Sequence, residues 1–159
     1  MINHSAFEFS FLADHPQFVP IIAEWILNEW GHQDTEANIE TCISNLQSEL
    51  NTETPPIALV LLHQSLPIAC SSIKIRELAS FPQYTYWLGS VYVLPEYRDQ
   101  GVGSLVVERS SQIASERGIQ EIFLYTHSHE DFYSHLGFRT VEQPYYQDRQ
   151  IVIMRKTFS

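Results

Sequence analysis

Basic residues are scarce in this chain of 159 residues: 9 Lys and Arg stand against 19 Asp and Glu, a formal net charge of −10. A protein that binds DNA or RNA gains affinity by replacing phosphate counterions with Lys and Arg, and no cluster of them occurs here, so nucleic acid is not an expected partner. The negative balance suits a cationic or neutral amine better than a polyanion. Long apolar runs are also missing. None approaches the roughly 20 residues of a membrane-spanning helix, and Asn3, His4, Ser5 and Glu8 interrupt the start where a secretion signal would need an apolar stretch. A cytoplasmic protein without membrane contact is expected. Only two cysteines are present, Cys42 within a helical pattern and Cys70 within a strand pattern, which reads as two buried thiols in a reducing compartment. Repeats, low-complexity tracts and linkers are absent, and with 44% hydrophobic residues one domain over 1–159 can bury its own core.

What is present reads as alternating helix and strand. Residues 6–13 set Phe7, Phe9 and Phe11 against Glu8, Ser10 and Leu12, the period of a half-buried strand. Asp14 is placed to cap a helix with the stripe Phe18, Ile21, Ile22, Trp25 and Ile26, stopped by Gly31. A second helix is expected from Asp34 or Thr35, with Ile39, Ile43, Leu46 and Leu50 on one side. Residues 57–62 and 67–75 form a hairpin about the turn at 63–66, and 84–94 is a long strand. Val102, Leu105, Val106 and Ile113 mark a helix ended by Gly118, and 119–126 is a strand parallel to 84–94 because a helix separates them. Ser128 with Asp131 is a capping-box variant opening a short helix that Gly137 closes. Residues 138–143 and 150–156 should pair antiparallel.

Between the long strand and the helix lies V-Y-V-L-P-E-Y-R-D-Q-G-V-G, Val91 to Gly103. A helix N-terminus offers unpaired N–H groups and partial positive charge, and Gly101 and Gly103 let an anion approach without a Cβ in the way. A Walker loop is excluded because no Lys follows either glycine. A dinucleotide fingerprint is excluded because Val106 stands where its third glycine belongs.

The remaining pattern resembles the pyrophosphate loop V-x-P-x-x-[RQ]-x-x-G-x-[GA] of the GNAT family of N-acetyltransferases. About thirty residues on, D-F-Y-S-H-L-G-F, Asp131 to Phe138, is similar to the family's F-Y-x-x-L-G-F helix. T-H-x-x-x-x-F-Y-x-H-L-G, Thr126 to Gly137, together with Asn28-Glu29-Trp30, resembles the actin N-terminal acetyltransferase branch. The resemblance implies an α/β fold of the α+β type, with a mixed, mostly antiparallel sheet of six to seven strands and about four helices on both faces. It implies acetyl-CoA as co-substrate and no metal. Backbone amides of Arg98, Asp99, Gln100, Gly101, Val102, Gly103 and Ser104 would hold the pyrophosphate, with Arg98 either on the phosphate or bracing the loop. Val91, Tyr92 and Val93 would hold the pantetheine arm, and Tyr133 would protonate the departing thiolate. The implied activity is acetyl transfer to a primary amine, of a small molecule or a peptide N-terminus, by direct attack in a ternary complex. A non-catalytic acyl-CoA sensor and an interaction module are the alternatives.

The general base departs from the family pattern. Many members carry a Glu on the strand before the loop, whereas 84–94 has no acid and Gly89 stands in that place. His127, at a strand end with an ordinary pKa near neutrality, is the first candidate. His129, Asp131, Glu77, Glu29 and His32 are the others. Without a base, an α-amine is favoured over a lysine, because about one α-amine in seven is neutral at pH 7 against roughly one lysine in 2,500. The pair His127-x-His129 with Asp131 lacks a zinc-ligand spacing and has no Cys nearby, so solvated histidines are expected there. Trp25 is expected in the core, and Trp30 either in an acceptor groove or packing the helix end.

Overall fold

The computed structural model describes residues 6–159. The alternation at the start forms β1 (Phe7–Phe11), antiparallel to β2 (Ile57–His63). Gln64 and Ser65 both take positive φ and turn β2 into β3 (Leu66–Ile75), the two-residue geometry that matches strand twist. β4 (Tyr86–Val93) runs antiparallel to β3, and β5 (Glu121–Thr126) lies parallel to β4, as the intervening helix α3 (Val102–Glu116) requires. After β6 (Arg139–Glu142), a small hairpin of β7 (Tyr145–Tyr146) and β8 (Arg149–Gln150) turns through Gln147 and Asp148 at positive φ. The chain then inserts β9 (Val152–Thr157) between β5 and β6. The result is a seven-stranded sheet in the order β1-β2-β3-β4-β5-β9-β6, mostly antiparallel.

Alternation along the strands loads both faces. On one, Ala58, Val60, Leu62 and Cys70 pack under α1 (Val19–Trp30) and α2 (Ile39–Gln47) with Ile22, Trp25 and Leu46. On the other, Ile57, Leu59, Ile73, Leu88, Ile122, Leu124 and Met154 pack with Val107 of α3 and with Phe138, which follows the short α4 (Glu130–Ser134). Each fully buried Leu or Ile is worth about 1.5–3 kcal/mol relative to exposure. Helices therefore cover both faces. No helix among the described residues is long and apolar enough to cross a membrane.

Several local expectations need correction. Strand β1 is shorter than 6–13, because Leu12 leaves the ladder for a 3-10 turn and is itself fully buried. Asp14 caps nothing: turns at Leu12–Asp14 and Pro16–Phe18 precede α1, whose N-terminus has no side-chain cap. Helix α2 starts at Ile39, not near Asp34 or Thr35. Asp34 spends its carboxylate on the N–H of Glu36 at 3.0 Å. Asn38 and Thr41 form a reciprocal capping box, the Asn38 side chain accepting from the Thr41 N–H at 2.9 Å. The stop at Gly31 is as expected, since α1 ends at Trp30 with Gly31 as its C-cap, at a φ of −61°, before the chain runs on into a 3-10 turn. Gly31 is a glycine for packing: a Cβ there would meet Leu27 Cδ1 at 2.8 Å. Cys70 is buried but Cys42 only half-buried, and both are free thiols.

Candidate active site

The site begins where the sheet comes apart. β4 and β5 pair at Trp87 and Phe123, and beyond that pair Leu88–Val93 has no ladder partner on the β5 side. A register shift against β3 places Ser90 at a φ of +53°, and such a bulge bends its strand. The two strands therefore open a gap toward their carboxyl ends, the usual ligand position in parallel sheets.

The end of β4 feeds the anion cradle. Pro95–Tyr97 forms a 3-10 turn, and Gly101, at a φ of +80°, is the N-cap of α3 without any side-chain hydrogen bond to its first turn. Glycine is the residue that takes this left-handed conformation without steric cost. The free N–H groups and the dipole of a 15-residue helix thus face the gap unneutralised. A Cβ on Gly103 would lie 3.4 Å from Phe132 Cζ and 4.0 Å from Val93 Cγ2, so this glycine opens into the space between the end of β4 and α4.

Arg98 braces the cradle. Its Nε donates to the Val93 carbonyl at 2.9 Å, and its guanidinium carbon lies 5.4 Å from the Tyr92 ring centroid. Gln100 Nε2 donates to the Glu96 carbonyl at 3.0 Å and tightens the same turn, with Asp99 at a φ of +61° between them. Val102 is buried beneath the loop, while Ser104 is half-buried. Val91 and Val93 pack toward α3, and Tyr92 points the other way against Trp25 and Trp30, at ring centroid distances of 5.3 and 6.4 Å. Trp25 is core, and Trp30 borders the same side of the sheet as Tyr92.

Tyr133 comes from α4. Its ring packs edge-on to Phe132 and Phe138 at 4.9 and 5.9 Å, and its hydroxyl makes no hydrogen bond among the described residues. Burial pushes the phenol up to about 12, so it carries its proton at every working pH. The expected cap at Ser128 is not formed. His129 is the N-cap without a side-chain bond, and its N–H is taken by the Thr126 hydroxyl at 3.1 Å.

His127 follows β5 on the side of Tyr125, whose ring it meets edge-on at 6.4 Å. Its Nδ1 is sealed from solvent with no hydrogen-bond partner. Burial first, then the charge of Arg149, lower its pKa, so the imidazole is neutral at pH 7. In the unfolded chain this histidine protonates earlier as pH falls, so native stability is lost progressively below pH 6.5. A His127→Asn protein should accordingly show a shallower fall of Tm between pH 6.5 and 5 than wild type. Equal slopes would show that His127 titrates alike in both states.

Of the remaining candidates, His129, Asp131, Glu29 and His32 are exposed, and only Glu77 is drawn inward. Lys74 Nζ lies 3.8 Å from Glu77 and 3.9 Å from Glu49, and Glu49 accepts the Ser72 hydroxyl at 2.7 Å. Residue-by-residue reading missed Glu49 and Lys74. The available signal was a lysine between Ile73 and Ile75 at the end of β3. Among the described residues no three of His, Cys, Asp and Glu gather as metal ligands.

Solved structures share this architecture. An aminoglycoside 6′-acetyltransferase type Ii matches at a TM-score of 0.71 and 19% identity, over 99% of this chain and 97% of its own. The PaiA N-acetyltransferase of Thermoplasma acidophilum, solved in complex with coenzyme A, matches at 0.64 and 22%, over 96% and 99%. The fold is thus of the acetyltransferase class. The model of the acetyltransferase (GNAT) family matches residues 19–138, and the chain belongs to that family. An uncharacterized N-acetyltransferase of Chlorobaculum tepidum is 33% identical over 82 residues, which are 52% of this chain and 46% of that protein. The chain spans about half the length of the curated relatives it matches.

Proposed function

We propose that this protein transfers the acetyl group of acetyl-CoA to a primary amine, of a small molecule or a peptide N-terminus, by direct attack in a ternary complex. The observation that supports the reading most is the closeness of Gly103 to Phe132, 3.4 Å from where its Cβ would stand: the uncapped start of α3 lies beside α4, the helix that carries Tyr133. Coenzyme A supplies the activated thioester. The amides from Arg98 to Ser104 bind its pyrophosphate, and Arg98 holds that loop to Val93. The backbone of Val91–Val93, unpaired toward β5, orients the pantetheine arm and donates to the thioester carbonyl. Tyr133 gives its proton to the leaving sulfur, and the candidates for the amine's proton are His127, neutral at the end of β5, and the inward-drawn Glu77. Two free cysteines support a reducing, cytoplasmic setting.

The acceptor class draws support from the charge of −10, which attracts cationic amines. A sensor that only binds acyl-CoA would leave the Tyr133 hydroxyl, which has no hydrogen-bond partner among the described residues, unused. The test is release of the coenzyme A thiol with a panel of small amines, peptide N-termini and lysine side chains between pH 6.5 and 9. Amine-dependent thiol release is expected. Calorimetric binding of coenzyme A without release by any amine would establish the sensor instead.

A further inference from the structure

An amine that arrives as an ammonium ion has no lone pair with which to attack, so the proposed transfer needs a proton acceptor on the acceptor's side of the gap. Along β4 the side chains alternate faces. Leu88 packs in the cluster that holds Tyr133, so Gly89 faces the opposite side. A Cβ on Gly89 would lie 3.1 Å from Lys74 Cδ and Cε and 3.9 Å from Glu77 Oε2. The missing side chain makes room for the Lys74 stem, and it leaves the Glu77 carboxylate about as far from β4 as a glutamate's own carboxylate lies from its Cβ. Burial raises the phenol of Tyr125 on β5 to about 12, and the negative charge of Glu77 adds to the rise. The carboxylate therefore stands beside β4 two residues past Trp87, the position that pairs with Phe123 of β5.

We propose that Glu77, held by Lys74 against Glu49, takes the proton from the acceptor ammonium. The inference rests on the acetyltransferase reading above and names the base of that same site. One N–H bond of the ammonium breaks to Glu77, the freed pair forms the C–N bond, the C–S bond breaks with its electrons leaving on sulfur, which receives a proton from Tyr133, and the second proton shed by the nitrogen as the amide forms returns through water to the Tyr133 oxygen. Glu77 then passes its proton to water. Charge favours this placement: two carboxylates share one ammonium in Lys74, leaving one net negative charge for the acceptor's ammonium to balance. Burial raises the pKa of Glu77, more than Lys74 lowers it, with Glu49 adding to the rise, so the carboxylate holds a proton more readily than an exposed glutamate. Of the other groups around it, Cys70 and Tyr125 are pushed up to about 12 and stay protonated, and Cys42 is also raised. The pH profile on the acid side then belongs to Glu77.

A glutamate base also removes the need for a weakly basic acceptor that the acid-free strand suggested. The experiment follows from that. Wild type, Glu77→Gln, Glu77→Asp and His127→Asn are assayed for thiol release with ethylamine and with the much less basic 2,2,2-trifluoroethylamine, from pH 6 to 10. Glu77→Gln is expected to lose about 100-fold in kcat at pH 7 with ethylamine, the scale of a lost general base, and less than about 10-fold with trifluoroethylamine, which is already neutral. Glu77→Asp, its carboxylate withdrawn by one methylene, should fall between wild type and Glu77→Gln with ethylamine. Affinity for coenzyme A should not move. Folding is checked by Tm at pH 8, where Glu77→Gln should be at least as stable as wild type. A buried acid with a raised pKa loses native stability as pH rises past the unfolded value, and glutamine does not. Equal losses with both amines, an unchanged ethylamine rate, or loss of the acid limb in His127→Asn alone would overturn the assignment. Absence of thiol release by wild type with any amine would overturn the acetyltransferase reading together with it.

Discussion

Tyr133→Phe is expected to lower kcat about 100-fold while leaving the affinity for acetyl-CoA within a factor of about two. The hydroxyl has no partner among the described residues, so removing it breaks no native hydrogen bond, and the ring keeps its contacts with Phe132 and Phe138. Its role is confined to the moment when negative charge builds on sulfur, and an interaction made only then appears in kcat and not in binding. The high pKa does not disqualify the phenol. The same burial that pushes Tyr133 to about 12 would penalise a thiolate beside it, so both anions are raised and the proton passes between groups closer in strength than their values in water suggest. Wild-type activity should show no alkaline loss from Tyr133 below about pH 11, because the acid remains loaded. An unchanged kcat for Tyr133→Phe with a verified amine would leave the ring a packing residue.

The second large effect is on binding. Gly103→Val should weaken coenzyme A affinity about 100-fold, close to 2.7 kcal/mol, with Tm near that of wild type. Gly103 lies inside the first turn of α3 and is not at positive φ, so valine meets no backbone strain and is a better helix former than glycine. Its methyl groups would project beyond the Cβ position, already 3.4 Å from Phe132, into the space between Val93 and α4. The anion would then meet carbon where it needs N–H groups. Calorimetry with coenzyme A measures the change directly, and normal affinity in a folded Gly103→Val protein would place the pyrophosphate elsewhere.

What the letters revealed was what the chain decides locally. The run from Val91 to Gly103 is strand, turn and helix start in consecutive residues, and the β2–β3 hairpin rests on Gln64 and Ser65 alone. The start of α2 was not legible, because Asp34 and Asn38 are both good caps and only the fold decides which side chain meets a free N–H. The same holds for Ser128, since α4 starts one residue later with His129 as its N-cap. The carboxylate near Gly89 was harder still. Strand 84–94 contains no acid, and Glu77 reaches that place only because β3 pairs with β4 and brings Lys74 across. Glu49 arrives from beyond α2, a distance in sequence that no spacing rule spans.

The parted strands have a consequence for how the molecule holds together. Residues 7–93 supply β1 to β4, and residues 121–157 supply β5, β9 and β6, so each side of the gap is nearly continuous in sequence. Across the middle, the ladder consists of Trp87 against Phe123, with α3 as the tie. The sheet is thus two half-sheets joined at a waist, and the open stretch of the seam is the place least secured by backbone hydrogen bonds. A ligand whose arm lies along that seam would act as a rivet between the halves, adding its binding free energy to the cohesion of the fold, about 2.7 kcal/mol at a hundredfold excess over Kd. The architecture would then couple occupancy to durability: the protein would be most robust while charged with its substrate and most easily pulled open when empty.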